Sequence, residues 1–199
     1  MEDALGRWDP WSPDQIFALL AGFEPPWWIA GGWALDLYLE RQTRPHADTD
    51  IEIPATAMTA LAGRLHGWDL RLASAGKLRR WDPLSAVPHG VNSLWCRPAD
   101  GEPWRFQIML ATTLDDAWIY RRDDRIRRNL ADVGMRSDNG VPHLAPEIQL
   151  LYKSKDVRPK DQQDFDTVIG RLRGAQQQWL RRALALVSPG HPWLDRLQD

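Results

Sequence analysis

Apolar and polar positions along this chain follow one rhythm in its first half and another in its second. Residues 12–23 read SPDQIFALLAGF, with Ile16, Leu19, Leu20 and Phe23 at helical spacing. Ser12 is placed to cap and Pro13 to take the first helical position, so an amphipathic helix is predicted. The Pro25-Pro26 pair stops it. The apolar, aromatic run 27–30 predicts a buried strand opening into Gly31-Gly32, and 33–40, with Leu35 and Leu39 on one face, predicts a helix. Residues 41–47 are polar, contain Pro45 and form a loop. Residues 48–53 alternate Asp48, Asp50 and Glu52 against Thr49, Ile51 and Ile53, which is strand periodicity.

A second helix is expected over 56–65, closed by Gly67, then strands over 69–73, 91–97 and 104–110 and a turn at Asp138-Asn139-Gly140. From Pro146 onward helices dominate: 147–156, 160–172 and 175–187 each follow Pro or Gly. The expectation is an α/β (α+β) protein with a mixed sheet and a helical C-terminal region. Residues 1–115 form the αβ domain, and 116–199 form a connecting segment, around 116–145, with a helical domain behind it.

Composition narrows the class. At 199 residues and 43% hydrophobic content the chain can build a core. No apolar stretch reaches the roughly 20 residues a membrane helix needs, and Met1-Glu2-Asp3 lacks a secretory pattern, so a cytoplasmic protein without membrane partners is expected. Cys96, the single cysteine, rules out an intrachain disulfide and reads as a small buried hydrophobe. A net charge of -2 argues against a general nucleic-acid binder. Charge is unevenly placed, with Arg121, Arg122, Arg125, Arg127 and Arg128 clustered and Asp36, Glu40, Asp48, Asp50 and Glu52 making 36–52 acidic. Twelve tryptophans are many for this length; Trp27, Trp28 and Trp33 sit in apolar runs suited to the core, and an indole also suits a ligand cleft.

The chemistry concentrates in Gly31-Gly32-Trp33-Ala34-Leu35-Asp36 and, after a basic loop, Arg44-Pro45-His46-Ala47-Asp48-Thr49-Asp50-Ile51. Residues two apart in a strand point the same way, so the Asp48 and Asp50 carboxylates emerge side by side and repel unless a cation lies between them. Mg²⁺ suits such a pair, because it takes one or two carboxylates and completes its octahedron with water and phosphate oxygens. Two glycines between a strand and a helix let backbone N–H groups and the positive helix end approach a phosphate.

In this order the two halves resemble the polymerase-β nucleotidyltransferase signature. More specifically, GGWALDLYLERQTRPHADTDIEI is similar to the small aminoglycoside and lincosamide nucleotidyltransferases, as is PEIQLLYKSKDVRPKDQQDF over 146–165. The resemblance spans about residue 27 to about residue 165. It implies transfer of a nucleoside monophosphate from a Mg²⁺-bound triphosphate, ATP first among donors, to a hydroxyl of a small molecule such as an antibiotic. It places Asp48 and Asp50 as metal ligands and Gly31, Gly32 and Trp33 at the phosphates. Lys153, Lys155 and Lys160 are candidates for a point charge on the triphosphate. The acidity of 36–52 suits a polyamine acceptor such as an aminoglycoside.

One departure stands out. Members of this fold usually add a third carboxylate from a neighbouring strand, and the polar position of 104–110 is Gln107, whose amide cannot accept a proton and binds Mg²⁺ weakly. Glu52, on the face of Asp48 and Asp50, and Glu102 are the alternatives. Loss of the carboxylate also fits a protein that binds nucleotide or a partner without turnover, and a protein or tRNA acceptor is a further reading. His46 is a candidate to orient a carboxylate or touch a phosphate, and serves equally as a local hydrogen-bonding residue. Asp36 is expected to hold the basic loop through Arg41 or Arg44. Asp161 and Asp164 are expected to cap a helix or pair with Lys160. Monomer and homodimer are both compatible with the sequence.

Overall fold

The computed structural model describes residues 5–197. Expectations resting on Met1, Glu2 and Asp3 concern residues outside that range. The chain folds around a ten-stranded mixed sheet. Its main path runs β4 (Lys77–Arg80), β3 (Asp69–Ser74), β5 (Ser93–Arg97), β6 (Phe106–Leu114), β2 (Asp50–Pro54), β1 (Trp28–Ala30), β10 (Pro142–Leu144) and β9 (Gly134–Arg136). β7 (Ala117–Ile119) continues from β6 and carries β8 (Arg127–Asn129). β2 with β6 and β1 with β10 are parallel; the other pairs are antiparallel.

Strand alternation decides where the site lies. Ile29, Ile51, Ile53, Phe106 and Ile108 turn to one face and pack with Ile16 and Leu20 from around α1 (Pro13–Leu19) and Leu61 of α3 (Met58–Arg64). The opposite face of the same strands carries Ala30, Asp50, Glu52, Gln107 and Met109, in register across β1, β2 and β6. α2 (Gly31–Tyr38), α4 (Pro146–Lys153), α5 (Pro159–Val168) and α6 (Gly174–Val187) pack around a second core of Leu35, Ile148, Leu151, Phe165, Leu180 and Leu184. They cover that face only in part and leave its acidic stretch open to a cavity.

Local signals explain several elements. Ser12 and Gln15 cap α1 reciprocally, at 2.9 and 3.3 Å. The Asp138-Asn139-Gly140 turn joins β9 to β10. Other boundaries move. α2 begins at Gly31, so the glycines are its first two residues and not a turn before it. β4, β7, β8 and β9 carry short or polar stretches whose period-2 pattern is too brief to read locally. As a result 116–145, expected as a connecting segment, is built into the sheet. No helix among the described residues is long and apolar enough to cross a membrane.

Candidate active site

Thr49 sets the acidic pole. It is buried, its hydroxyl donates to the Trp11 carbonyl at 2.6 Å, and its carbonyl accepts from the Gln107 N–H at 2.8 Å. With Thr49 held inward, Asp48 and Asp50 turn together into a cavity of about 340 Å³ that Gly31, Gly32, Glu52 and Gln107 also line. Asp50 lies against the first glycine: a Cβ on Gly31 would stand 2.6 Å from its Oδ2, and Gly31 has φ +68°. Both constraints select glycine there.

Burial and the neighbouring Asp48 charge push Asp50 up to about 7, against the lowering fields of Lys153, Lys160 and Arg158. Burial likewise pushes Glu52 up to about 7, although Trp118 Nε1 donates to it at 3.0 Å. Asp48 and Asp50, which share the cavity and have no hydrogen-bond donor among the described residues, fit Mg²⁺, which needs only one or two protein carboxylates and takes phosphate and water oxygens for the rest. Among the described residues no three His, Cys, Asp or Glu side chains converge on one ion, so phosphate oxygens would have to complete the shell.

The opposite wall is basic. Lys153, at the end of α4, reaches Asp161 at 3.2 Å and Asp164 at 2.9 Å. Arg158 donates to Asp161 at 2.6 Å, and Arg44 forks onto Asp164 at 2.8 and 2.9 Å. The two aspartates thus hold three cations in place around the cavity, while Lys160 stands exposed at its edge. Burial opposes ionisation of Asp161, yet the Arg158 hydrogen bond and the Lys153 charge win and bring it down to about 2. Gln149 of α4 accepts the Gly31 N–H at 2.8 Å and joins the helical half to the glycine pair.

The family described as aminoglycoside-2''-adenylyltransferase matches residues 14–74. The lincosamide antibiotic adenylyltransferase LnuA with lincomycin bound is similar in structure, at 19% identity over 77% of this chain and 91% of that one, with a TM-score of 0.53. The antibiotic-resistance factor ANT(2'')-Ia in solution gives 18% identity, 87% and 89% coverage and a TM-score of 0.56. ANT(2'')-Ia in complex with adenylyl-2''-tobramycin gives 16%, 88% and 96%, and 0.54. The chain carries the nucleotidyltransferase fold. No curated protein matches it at the sequence level.

Within this nucleotidyltransferase fold the residues singled out by sequence separate into two groups. Asp48, Asp50, Glu52, Gly31, Gly32, Gln107, Lys153 and Lys160 line the cavity. Lys155 does not: it lies beyond the last turn of α4, exposed, 4.0 Å from Asp156. Glu102 sits in an exposed turn near Arg105. Trp33 does not line the cavity: its side chain lies tilted against His46, ring centres 4.3 Å apart, and its backbone belongs to the first turn of α2. No tryptophan lines the cavity; its aromatic wall is Tyr152.

His46 is buried and bonds Asp36 Oδ2 at 2.5 Å through Nε2, while Arg44 Nη1 lies 3.1 Å from Nδ1. A guanidinium only donates, so Nδ1 accepts and the proton sits on Nε2, facing Asp36. Asp36 does hold the basic loop, but through His46 and Thr43 (Oγ1 at 2.6 Å) and not through the side chains of Arg41 or Arg44. Gly32 gives these groups room, since a Cβ there would stand 2.4 Å from Arg44 Nη2 and from His46 Cε1. Asp161 and Asp164 pair with Lys153, Arg158 and Arg44 instead of Lys160. Of the arginine run, Arg121 and Arg122 line the cavity, whereas Arg125 pairs with Asp123 and Arg128 with Glu147. Arg158, Gln149 and Tyr152 carried no signal in the chain that separated them from their neighbours.

Proposed function

We propose that this protein transfers a nucleoside monophosphate from a Mg²⁺-bound nucleoside triphosphate, with ATP as donor, to a hydroxyl of a small antibiotic-like molecule. What carries this reading is the pairing, across one cavity, of Asp48 and Asp50 beside Gly31 with the anchored cations Lys153, Arg158 and Arg44. The carboxylates would hold Mg²⁺, which supplies charge neutralisation and alignment of the phosphates. Gly31 leaves space for Asp50, and the first turn of α2 offers N–H groups to phosphate oxygens. The acceptor oxygen forms a bond to the α-phosphorus, the bond to the bridging oxygen breaks, and pyrophosphate leaves with that electron pair toward Lys153, Arg158 and Lys160. The hydroxyl proton passes to the Glu52 carboxylate, the remaining acid of the cavity.

Gln107 favours a second reading, a nucleotide-binding protein without turnover. Its amide is the cross-strand partner of Asp50 but is directed to Ser93 Oγ at 2.6 Å. Calorimetric titration with ATP and Mg²⁺, followed by detection of pyrophosphate over an antibiotic panel, separates the two. Release abolished by Asp48→Asn supports transfer; binding without release supports the second reading, and no binding of any triphosphate rejects both.

A further inference from the structure

The acceptor's charge can be read from the cavity, given the nucleotidyl-transfer reading on which this step rests. The charged groups form two clusters. In the first, Arg44, Lys153 and Arg158 are chained through Asp164 and Asp161. In the second, Trp118 donates to Glu52 at 3.0 Å and meets Tyr152 edge-on at 6.1 Å. The guanidinium groups of Arg121 and Arg122 lie 5.8 and 5.7 Å from the Tyr152 ring centre, and Arg122 also donates to the Tyr152 carbonyl at 2.9 Å. Neither arginine forms an ion pair with a carboxylate among the described residues, and both are exposed toward the cavity.

In-line displacement puts the incoming hydroxyl and the leaving pyrophosphate on opposite sides of the α-phosphorus. With pyrophosphate at the lysine cluster, the acceptor enters at Glu52, Arg121, Arg122 and Tyr152. The one carboxylate there is Glu52, and the Arg121 charge already acts on it. Asp48 and Asp50 face the metal, and Glu52 is bonded to Trp118. The other acids of 36–52 are committed elsewhere, Asp36 to His46 and Thr43, and Glu40 to the Asp138 N–H at 2.9 Å. A polyamine would therefore bring several ammonium groups against two unpaired arginines, a juxtaposition of like charges that costs affinity. The local acidity that suggested such an acceptor is used up inside the protein.

We infer that the acceptor is a hydroxyl compound without net positive charge, which seats an anionic or oxygen-rich group on Arg121 and Arg122. Arg121 and Arg122 thereby determine specificity and exclude polycationic aminoglycosides. The overall balance is acceptor–OH plus nucleoside triphosphate giving acceptor–O–nucleoside monophosphate, pyrophosphate and one proton.

Tobramycin binding to the protein loaded with Mg²⁺ and a non-hydrolysable ATP analogue tests this by calorimetry in wild type, Arg121→Glu and Arg121→Glu/Arg122→Glu. The single variant removes a ring contact and the Arg121 charge near Glu52 but no hydrogen bond, so it reads the charge effect even if loss of the Arg122 hydrogen bonds harms the double variant. The expected result is at least tenfold tighter tobramycin binding in the variants, with analogue affinity within about threefold of wild type. Equal or tighter tobramycin binding by wild type, or none by any form, overturns the inference. Analogue binding weakened more than tenfold in the variants also overturns it, by assigning the arginines to phosphate. Failure of wild type to bind the analogue at all rejects the nucleotidyl-transfer reading itself and the inference with it.

Discussion

Arg44 and Asp164 meet in a two-pronged ion pair, Nε to Oδ1 at 2.8 Å and Nη2 to Oδ2 at 2.9 Å, across 120 residues of chain. The pair clamps the loop leading to Asp48 onto α5, and the same carboxylate holds Lys153. Removing one partner of a buried pair leaves uncompensated charge, at a cost on the order of 3 kcal/mol. Asp164→Asn is therefore expected to lower the urea midpoint accordingly and to reduce kcat at least tenfold, because both cations lose their fixed positions. Unchanged stability with unchanged kcat would show that the clamp is idle.

Acid should loosen the same network. Burial of Asp161 is outweighed by the Arg158 hydrogen bond and the Lys153 charge, which take it from 3.8 to about 2. A depressed carboxyl contributes stability above its unfolded value near 4 and loses it as pH falls through the folded value; the difference is worth about 2 kcal/mol at neutral pH. Denaturant titrations of wild type and Asp161→Asn should differ at pH 7 and converge toward pH 2. A constant difference over that window would contradict the assignment.

Glu52 has the opposite sign. Burial raises it from 4.5 to about 7, so its contribution to stability is full below pH 4.5 and is lost as pH rises through 7. Glu52→Gln should stabilise the metal-free protein at pH 8 by on the order of 3 kcal/mol and do little at pH 4. It should also cut kcat by about 10²-fold or more if the group takes the hydroxyl proton. Gln107→Ala, which removes no carboxylate, is expected to change kcat less than tenfold.

Gly31 and Gly76 share a positive φ, +68° and +71°, but only Gly31 has Asp50 within 2.6 Å of a new Cβ. Alanine at either position costs about 1 to 2 kcal/mol of backbone strain. Gly31→Ala should in addition displace the Asp50 carboxylate and lower kcat about a hundredfold, whereas Gly76→Ala should leave kcat unchanged. Equal kinetic effects would remove Gly31 from the site.

Much of this was legible locally. The Ser12 cap, the apolar face around Ile16 and Leu20, and the alternation of Asp50 and Glu52 against Ile51 and Ile53 depend on neighbours a few residues away, although the strand expected from Asp48 begins only at Asp50. Such periodicities are fixed by backbone geometry, whatever the rest of the chain does. The short strands β4, β7, β8 and β9 were not legible, since three or four residues hold too few repeats of any pattern and are strands only because neighbouring strands accept them.

The chain by itself determined a glycine pair before a two-carboxylate strand and a helical second half, because each is a matter of spacing along one segment. Tertiary structure alone chose Lys153 over Lys155 and Arg121 and Arg122 over Arg125 and Arg128. It also turned Asp36 toward His46 and sent Arg44 to Asp164. Those choices depend on which side chains the packing of α4 and α5 onto the sheet brings within a few ångströms. Coulomb and hydrogen-bond partners are selected by that distance and burial, and spacing along the chain carries neither.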